Sequence, residues 1–195
     1  MKLKRLNTNI EIFDEKKVHN IFLDFFLWCY DRKMYPRDGI DRTNTYCALA
    51  IMDLYKALDG YKNDLKDPVM KNRKAFDTSL ADATIRVFNL IYHFDAHYAD
   101  IQSYTLETIE AEVDRALKIY KTDDEIIASF IIMSGKFIMD IADNNVLNER
   151  RTKLCMMFIK RMYWHMVVLF GCLDFYDLLL ERIKLIQSRK VKFQN

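Results

Sequence analysis

Helix breakers are scarce along this chain. Four glycines (Gly39, Gly60, Gly135, Gly171) and two prolines (Pro36, Pro68) punctuate 195 residues. No stretch alternates apolar and polar residues at a strand's period of two, so the chain reads as all-helical. Apolar residues make up 51% and charged residues 30% of the sequence, which is enough for a buried core and argues against disorder. No Ser/Gly/Pro-rich linker divides it, so a single helical domain over 1–195 is expected.

Composition also narrows the function classes. The formal net charge is +2, with basic residues scattered among carboxylates, apart from a short cluster at Arg189, Lys190 and Lys192. That cluster reads as a solvated tail, and nucleic acid is not the expected partner. Cys29, Cys47, Cys155 and Cys172 show no CxxC spacing; they read as reduced, buried small hydrophobes rather than zinc ligands or disulfides. The first seventeen residues lack the apolar centre of a signal peptide. The longest uncharged apolar run, Met162 to Leu173, is 12 residues, short of the ~18 that a membrane span requires. A cytoplasmic protein that does not enter membranes is the expectation.

In chain order, a first helix is expected from about Asp14 to Asp31, with Val18, Ile21, Phe22, Phe25 and Trp28 on its apolar face. A loop follows from Lys33 to Asp41. The second helix is expected to begin near Asp41 or Thr43, either of which can cap it, and to stop at Asp59 before Gly60. After a polar loop, Phe76 to Phe94 forms a third helix. A shorter helix is expected over Thr105 to Tyr120. Thr122–Asp123–Asp124–Glu125 is a capping-box pattern before an apolar helix ending near Ile141. A last long helix, from about Asn148 to Ile186, is expected to break near Gly171.

The third helix organises the chain. Leu80, Thr84, Val87, Ile91 and Phe94 recur at helical steps and predict a buried face, while Asp82, Arg86, Asn89 and His93 form a second stripe. Ile85 and Phe88 add apolar surface beside that stripe. The polar stripe therefore reads as facing a cleft between helices, where an acid, a guanidinium, an amide and an imidazole meet one ligand. The plain alternative is a structural Asp82–Arg86 ion pair at i,i+4. His93 and His97 also stand at i,i+4, but no HExxH glutamate accompanies them as a zinc motif requires. The Met/aromatic run around Met156, Met157, Met162, Tyr163 and Trp164 reads as core packing.

Two family likenesses arise. DGIDRTN, Asp38 to Asn44, is similar to the end of a cysteine-phosphatase loop, but Pro36 stands where the nucleophilic cysteine belongs, so that chemistry is excluded. CALAIMDLYKALDGYKN and FDTSLADATIRVFNLIYHFDAHYADI together resemble the MazG-like all-α nucleotide pyrophosphohydrolases, most closely over SLADATIRVFNL, Ser79 to Leu90. The resemblance implies a helical bundle of the all-α NTP pyrophosphatase type. It also implies acids at i,i+3 on two facing helices, which hold Mg²⁺ against a nucleotide's phosphates. Laid on this chain, the first acidic pair falls on Asp53 and Lys56, the second on Ser79 and Asp82, and a following acid on Asn89. Asp53 and Asp82 are thus the implied metal and catalytic carboxylates, and two glutamate positions are lost. Lys56 and Arg86, with Asn89 and His93, are then expected to bind an anionic ligand directly.

Such folds, by resemblance, pair two helix hairpins, often from two subunits. AIMDLYKALD (Ala50 to Asp59) lies on IIMSGKFIMD (Ile131 to Asp140) without a gap, and DATIRVFNL (Asp82 to Leu90) then falls near HMVVLFGCL (His165 to Leu173). The chain either duplicates a hairpin internally, with halves near 14–102 and 105–186, and is a monomer, or pairs with a second copy as a homodimer. Three functions stay open. One is a relative with a degraded metal site that binds a nucleotide or another partner in the inter-helix cleft. Another is an active Mg²⁺-dependent (deoxy)nucleoside triphosphate pyrophosphohydrolase, and the third a purely structural helical interaction protein.

Overall fold

The computed structural model describes residues 13–32, 42–93, 106–143 and 148–189. They form seven α-helices: α1 (Glu15–Asp31), α2 (Thr43–Lys62), α3 (Ala75–His93), α4 (Leu106–Ile119), α5 (Asp123–Asp143), α6 (Asn148–Trp164) and α7 (Phe175–Ser188). A π-helical turn, His165–Leu169, extends α6. The only strand-like pairing among the described residues is an isolated antiparallel bridge between Lys66 and Lys74. The all-helical expectation holds.

α3 is the centre. It packs against α2, α6, α7 and α1, while α5 packs on both α2 and α6. The two hairpins α2–α3 and α5–α6 therefore form a four-helix bundle in the order α2, α3, α6, α5, with α1 and α7 on the outer side of α3. α4 packs on α6. Leu80, Thr84, Val87 and Ile91 are fully buried, as their spacing predicts, and so are Ala81, Ala83, Phe88 and Leu90. Phe94 and the 33–41 loop lie outside the described residues. Within α3, Thr84 spends its hydroxyl on the Leu80 carbonyl at 2.9 Å, which lets a polar residue sit in the core unpenalised.

Aromatic side chains fasten the layers. Phe22 of α1 stacks on Phe88 of α3, ring centroids 3.8 Å apart. Phe170, just past the π turn, meets Phe76 of α3 at 4.9 Å and Phe130 of α5 at 5.3 Å, both edge-on. Edge-to-face and offset geometries suit the ring quadrupoles.

Helix boundaries follow local chemistry with two differences, one at each end of α2; at its start Arg42, rather than Asp41 or Thr43, stands at the N-cap, with no side-chain cap hydrogen bond. The capping box forms: the Glu125 amide donates to the Thr122 hydroxyl at 3.2 Å, and the Glu125 carboxylate accepts from the Lys121 and Thr122 amides at 2.9 and 3.1 Å. Gly60, however, does not stop α2, which runs on to Lys62. A Cβ at Gly60 would sit 2.9 Å from the Ala75 Cβ and from the Phe76 backbone nitrogen. The glycine serves close approach of α2 to the start of α3, not chain reversal. The reversal comes later, where Asp64 adopts φ 46°. The long last helix does break at Gly171, whose φ is 67°. There the π turn closes through Phe170 N–H to the His165 carbonyl and Cys172 N–H to the Met166 carbonyl.

The candidate repeat segments map unevenly. Ala50–Asp59 and Ile131–Asp140 lie in α2 and α5, which pack side by side. Asp82–Leu90 lies mid-α3, whereas His165–Leu173 covers the π turn and the chain's exit from the helix.

Candidate functional site

The polar stripe of α3 does face a cleft. Asp82, Arg86 and Asn89 line a cavity of about 250 Å³ together with Phe25 and Cys29 of α1, Tyr46 of α2, Ile85 of α3, Arg182 and Ile186 of α7, and Arg189. The cleft thus lies where α1, α2 and α7 meet α3, outside the four-helix bundle rather than between its two hairpins. Each wall follows from helical spacing. On α7, Arg182 and Ile186 stand at i,i+4 and share one face, while Leu178, Leu179 and Ile183 turn to the core; Arg189 follows the helix as its extended C-cap.

The Asp82–Arg86 ion pair, the plain alternative for this stripe, gives way to two longer-range pairs. Arg86 donates Nε to Asp53 Oδ2 of α2 at 2.5 Å, and Lys56 donates to the other oxygen, Oδ1, at 3.1 Å. Asp53 is 1% exposed, and a carboxylate so buried must find charged donors. Asp82 instead receives a bidentate fork from Arg182, Nε and Nη2 each at 2.6 Å. The planar guanidinium matches the carboxylate in two parallel bonds.

Behind Arg182 stands a carboxylate that sequence reasoning missed. Asp67, in the α2–α3 loop, lies 3.5 Å from Arg182 Nη1. Its Oδ1 accepts from the Val69 and Met70 amides at 2.8 and 2.6 Å, and its Oδ2 from the Thr78 hydroxyl at 2.8 Å. Burial alone would raise its pKa, but those donors and the Arg182 charge outweigh it and hold it below the ordinary aspartate value. The Asp82 fork in turn raises the Arg182 pKa, so this cation does not titrate. The loop signal was present in Asp67–Pro68, an Asx-type turn opener.

The other expected residues fall as follows. Lys56 has a side chain 58% exposed, pairs with Asp53, and does not line the cleft. The side chain of His93, with His97 and Asp95, lies outside the described residues. Asp59 is exposed and takes the Asn63 amide at 2.8 Å. Asp77 sits apart, beside Cys172, Asp174, Arg73 and Lys74, its pKa raised by burial. Arg73 itself bridges Asp174 and Glu181 of the α7 segment.

The Mg²⁺ site implied by the resemblance does not fit this donor set. Both oxygens of Asp53 and both of Asp82 already accept from cationic side chains. A metal at either carboxylate would stand against a guanidinium charge. No group of three or more His, Cys, Asp or Glu side chains converges to hold a metal among the described residues.

What the cleft offers instead is hydrogen-bond donors. Arg86 uses only Nε on Asp53, leaving its two terminal nitrogens; the Asn89 amide and the Arg189 guanidinium likewise have no partner among the described residues. Tyr46 keeps its phenolic proton, since burial, and then the neighbouring Cys29, raise its pKa. Phe25, Ile85 and Ile186 supply an apolar wall. The arrangement suits an anion attached to an apolar or aromatic body. No protein family, curated protein or solved structure matches this chain.

Proposed function

We propose that this chain is a non-catalytic relative of the MazG-like proteins that binds a nucleotide in the cleft beside α3, with arginines in place of a metal cluster. The observation that carries this reading is the neutralisation of Asp53 and Asp82 by Arg86 and Arg182, alongside uncommitted guanidinium donors on the same cleft. A carboxylate pair bound to metal recruits phosphate through the metal; a guanidinium recruits phosphate directly, with planar bidentate hydrogen bonds. Hydrolysis needs an activated water as well, and among the described residues no uncommitted carboxylate in the cleft is left to activate one. In this reading the α5–α6 hairpin, which offers Ser134, Phe137 and His165 to the bundle, is scaffold that fixes α2 and α3.

The test is a thermal-shift and calorimetric titration with nucleotides in EDTA and again with Mg²⁺, paired with phosphate and pyrophosphate release assays. Metal-free binding without turnover is expected. Mg²⁺-dependent turnover by the unmodified chain would overturn the non-catalytic reading and favour the pyrophosphohydrolase.

A further inference from the structure

We infer that the nucleotide taken by this cleft is a monophosphate, bound without metal, and that nucleoside triphosphates are disfavoured there. This rests on the nucleotide reading above and narrows it by size and charge.

Size comes first. About 250 Å³ lies just under the roughly 300–1,000 Å³ common for small-molecule sites. That is about the room taken by one ring system and one phosphate. The lining is divided to match. Phe25, Ile85 and Ile186, with the ring of Tyr46, offer the apolar surface against which a base or sugar loses water. Asn89 carries both a donor and an acceptor on one amide, which suits a base edge or a sugar hydroxyl.

Charge gives the same answer independently. Arg182 has committed Nε and Nη2 to Asp82 and Nη1 to Asp67. Among the described residues, the cations still open to a ligand in the cleft are therefore Arg86, through its terminal nitrogens, and Arg189. Arg189, together with the terminal N–H groups of Arg86, whose charge already faces Asp53, supplies donors for one phosphomonoester, which carries about −1.5 to −2 at neutral pH. A triphosphate brings more negative charge than that and ordinarily shares it with Mg²⁺. No uncommitted carboxylate among the described cleft residues is available to hold that Mg²⁺, and Asp82 adds its own negative charge to the wall. The surplus phosphates would face a carboxylate and solvent rather than a cation.

Isothermal titration of the full chain in EDTA, against adenosine and guanosine mono- and triphosphates, the two nucleosides and inorganic phosphate, tests this. A monophosphate should bind about tenfold or more tighter than its triphosphate, its nucleoside and inorganic phosphate. The nucleoside lacks the charge-assisted bonds, inorganic phosphate lacks the apolar contact, and the triphosphate brings more negative charge than the cleft's open cations meet. Mg²⁺ should not improve monophosphate binding. Arg189→Ala and Asn89→Ala, neither of which leaves a buried partner unpaired, should weaken it about fivefold or more with an unchanged melting temperature. Triphosphates binding more tightly than monophosphates would overturn the size and charge inference while leaving the nucleotide reading in place. Binding of no nucleotide at all would overturn both. Monophosphate binding indifferent to Arg189→Ala and Asn89→Ala would show that the ligand sits elsewhere and would overturn the assignment to this cleft.

Discussion

At the scale of single residues, two buried groups dominate. Asp53 lies between Lys56 and Arg86, with Lys56 largely in solvent and the Arg86 side chain 35% exposed. Removing one partner of a buried pair typically costs about 3–5 kcal/mol, because the other charge is stranded. Arg86→Ala should fall toward the low end, since Lys56 still reaches Asp53. The double variant Asp53→Leu, Arg86→Met should recover most of that loss in urea denaturation, and a double-mutant cycle showing no coupling would contradict the pairing. His165 is the second group. It stacks on Phe130 at 4.6 Å, and its Nδ1 lies 2.7 Å from the Arg161 carbonyl. Burial, against a smaller raising effect of that hydrogen bond, depresses its pKa to about 4. The unfolded chain therefore takes up a proton near pH 6.5 that the folded chain refuses until about 4. Stability should be full above pH 6.5, fall as pH drops to about 4, and level off below. A gap of about 2.5 at 1.36 kcal/mol per pH unit makes that loss roughly 3 kcal/mol. His165→Gln should flatten this window in denaturation midpoints measured across pH. The fall from Asp67, whose pKa is lowered, begins only below the ordinary aspartate value and stays separable.

At the scale of elements, two helical glycines should behave oppositely. A Cβ added at Gly135 in α5 would have nothing within 4 Å, so Gly135→Ala should stabilise by up to about 1 kcal/mol through helix propensity and a less flexible unfolded chain. Gly60→Ala should destabilise by about 1–3 kcal/mol, because its Cβ meets the backbone of Phe76 and the Cβ of Ala75 at 2.9 Å. Thermal midpoints of the two variants moving the same way would refute the close-approach account of α2 and α3. The capping box was legible in sequence because Thr122 and Glu125 satisfy amides within one turn of themselves. The role of Gly60 was not legible, because the atoms it avoids belong to the next helix. Sequence alone offered only the ordinary meaning of glycine at a helix end.

At the scale of the whole molecule, protection should grade outward from α3. Its residues from Leu80 to Ile91 are walled by four other helices, whereas α4 packs chiefly on α6, with Arg161 reaching Glu112 at 2.7 Å. Native-state hydrogen exchange should be slowest in α3 and markedly faster in α4. Equal protection of the two would mean that α4 is more tightly held than its packing implies.

Spacing along the chain set the helical class, most helix limits and the buried and polar stripes of α3. All of these rest on spacing and on groups within a turn of one another. Which charges meet is a matter of packing. Asp53 finds Arg86 33 positions away, and Asp82 finds Arg182 100 positions away. An ion pair depends on which helix lies opposite at a few ångströms, and helical periodicity says which face is polar without saying what faces it. Arg182 read in sequence as part of the last long helix, and Arg189 as part of a solvated tail. The break at Gly171 is what redirects α7 across α3 and brings both arginines to the cleft.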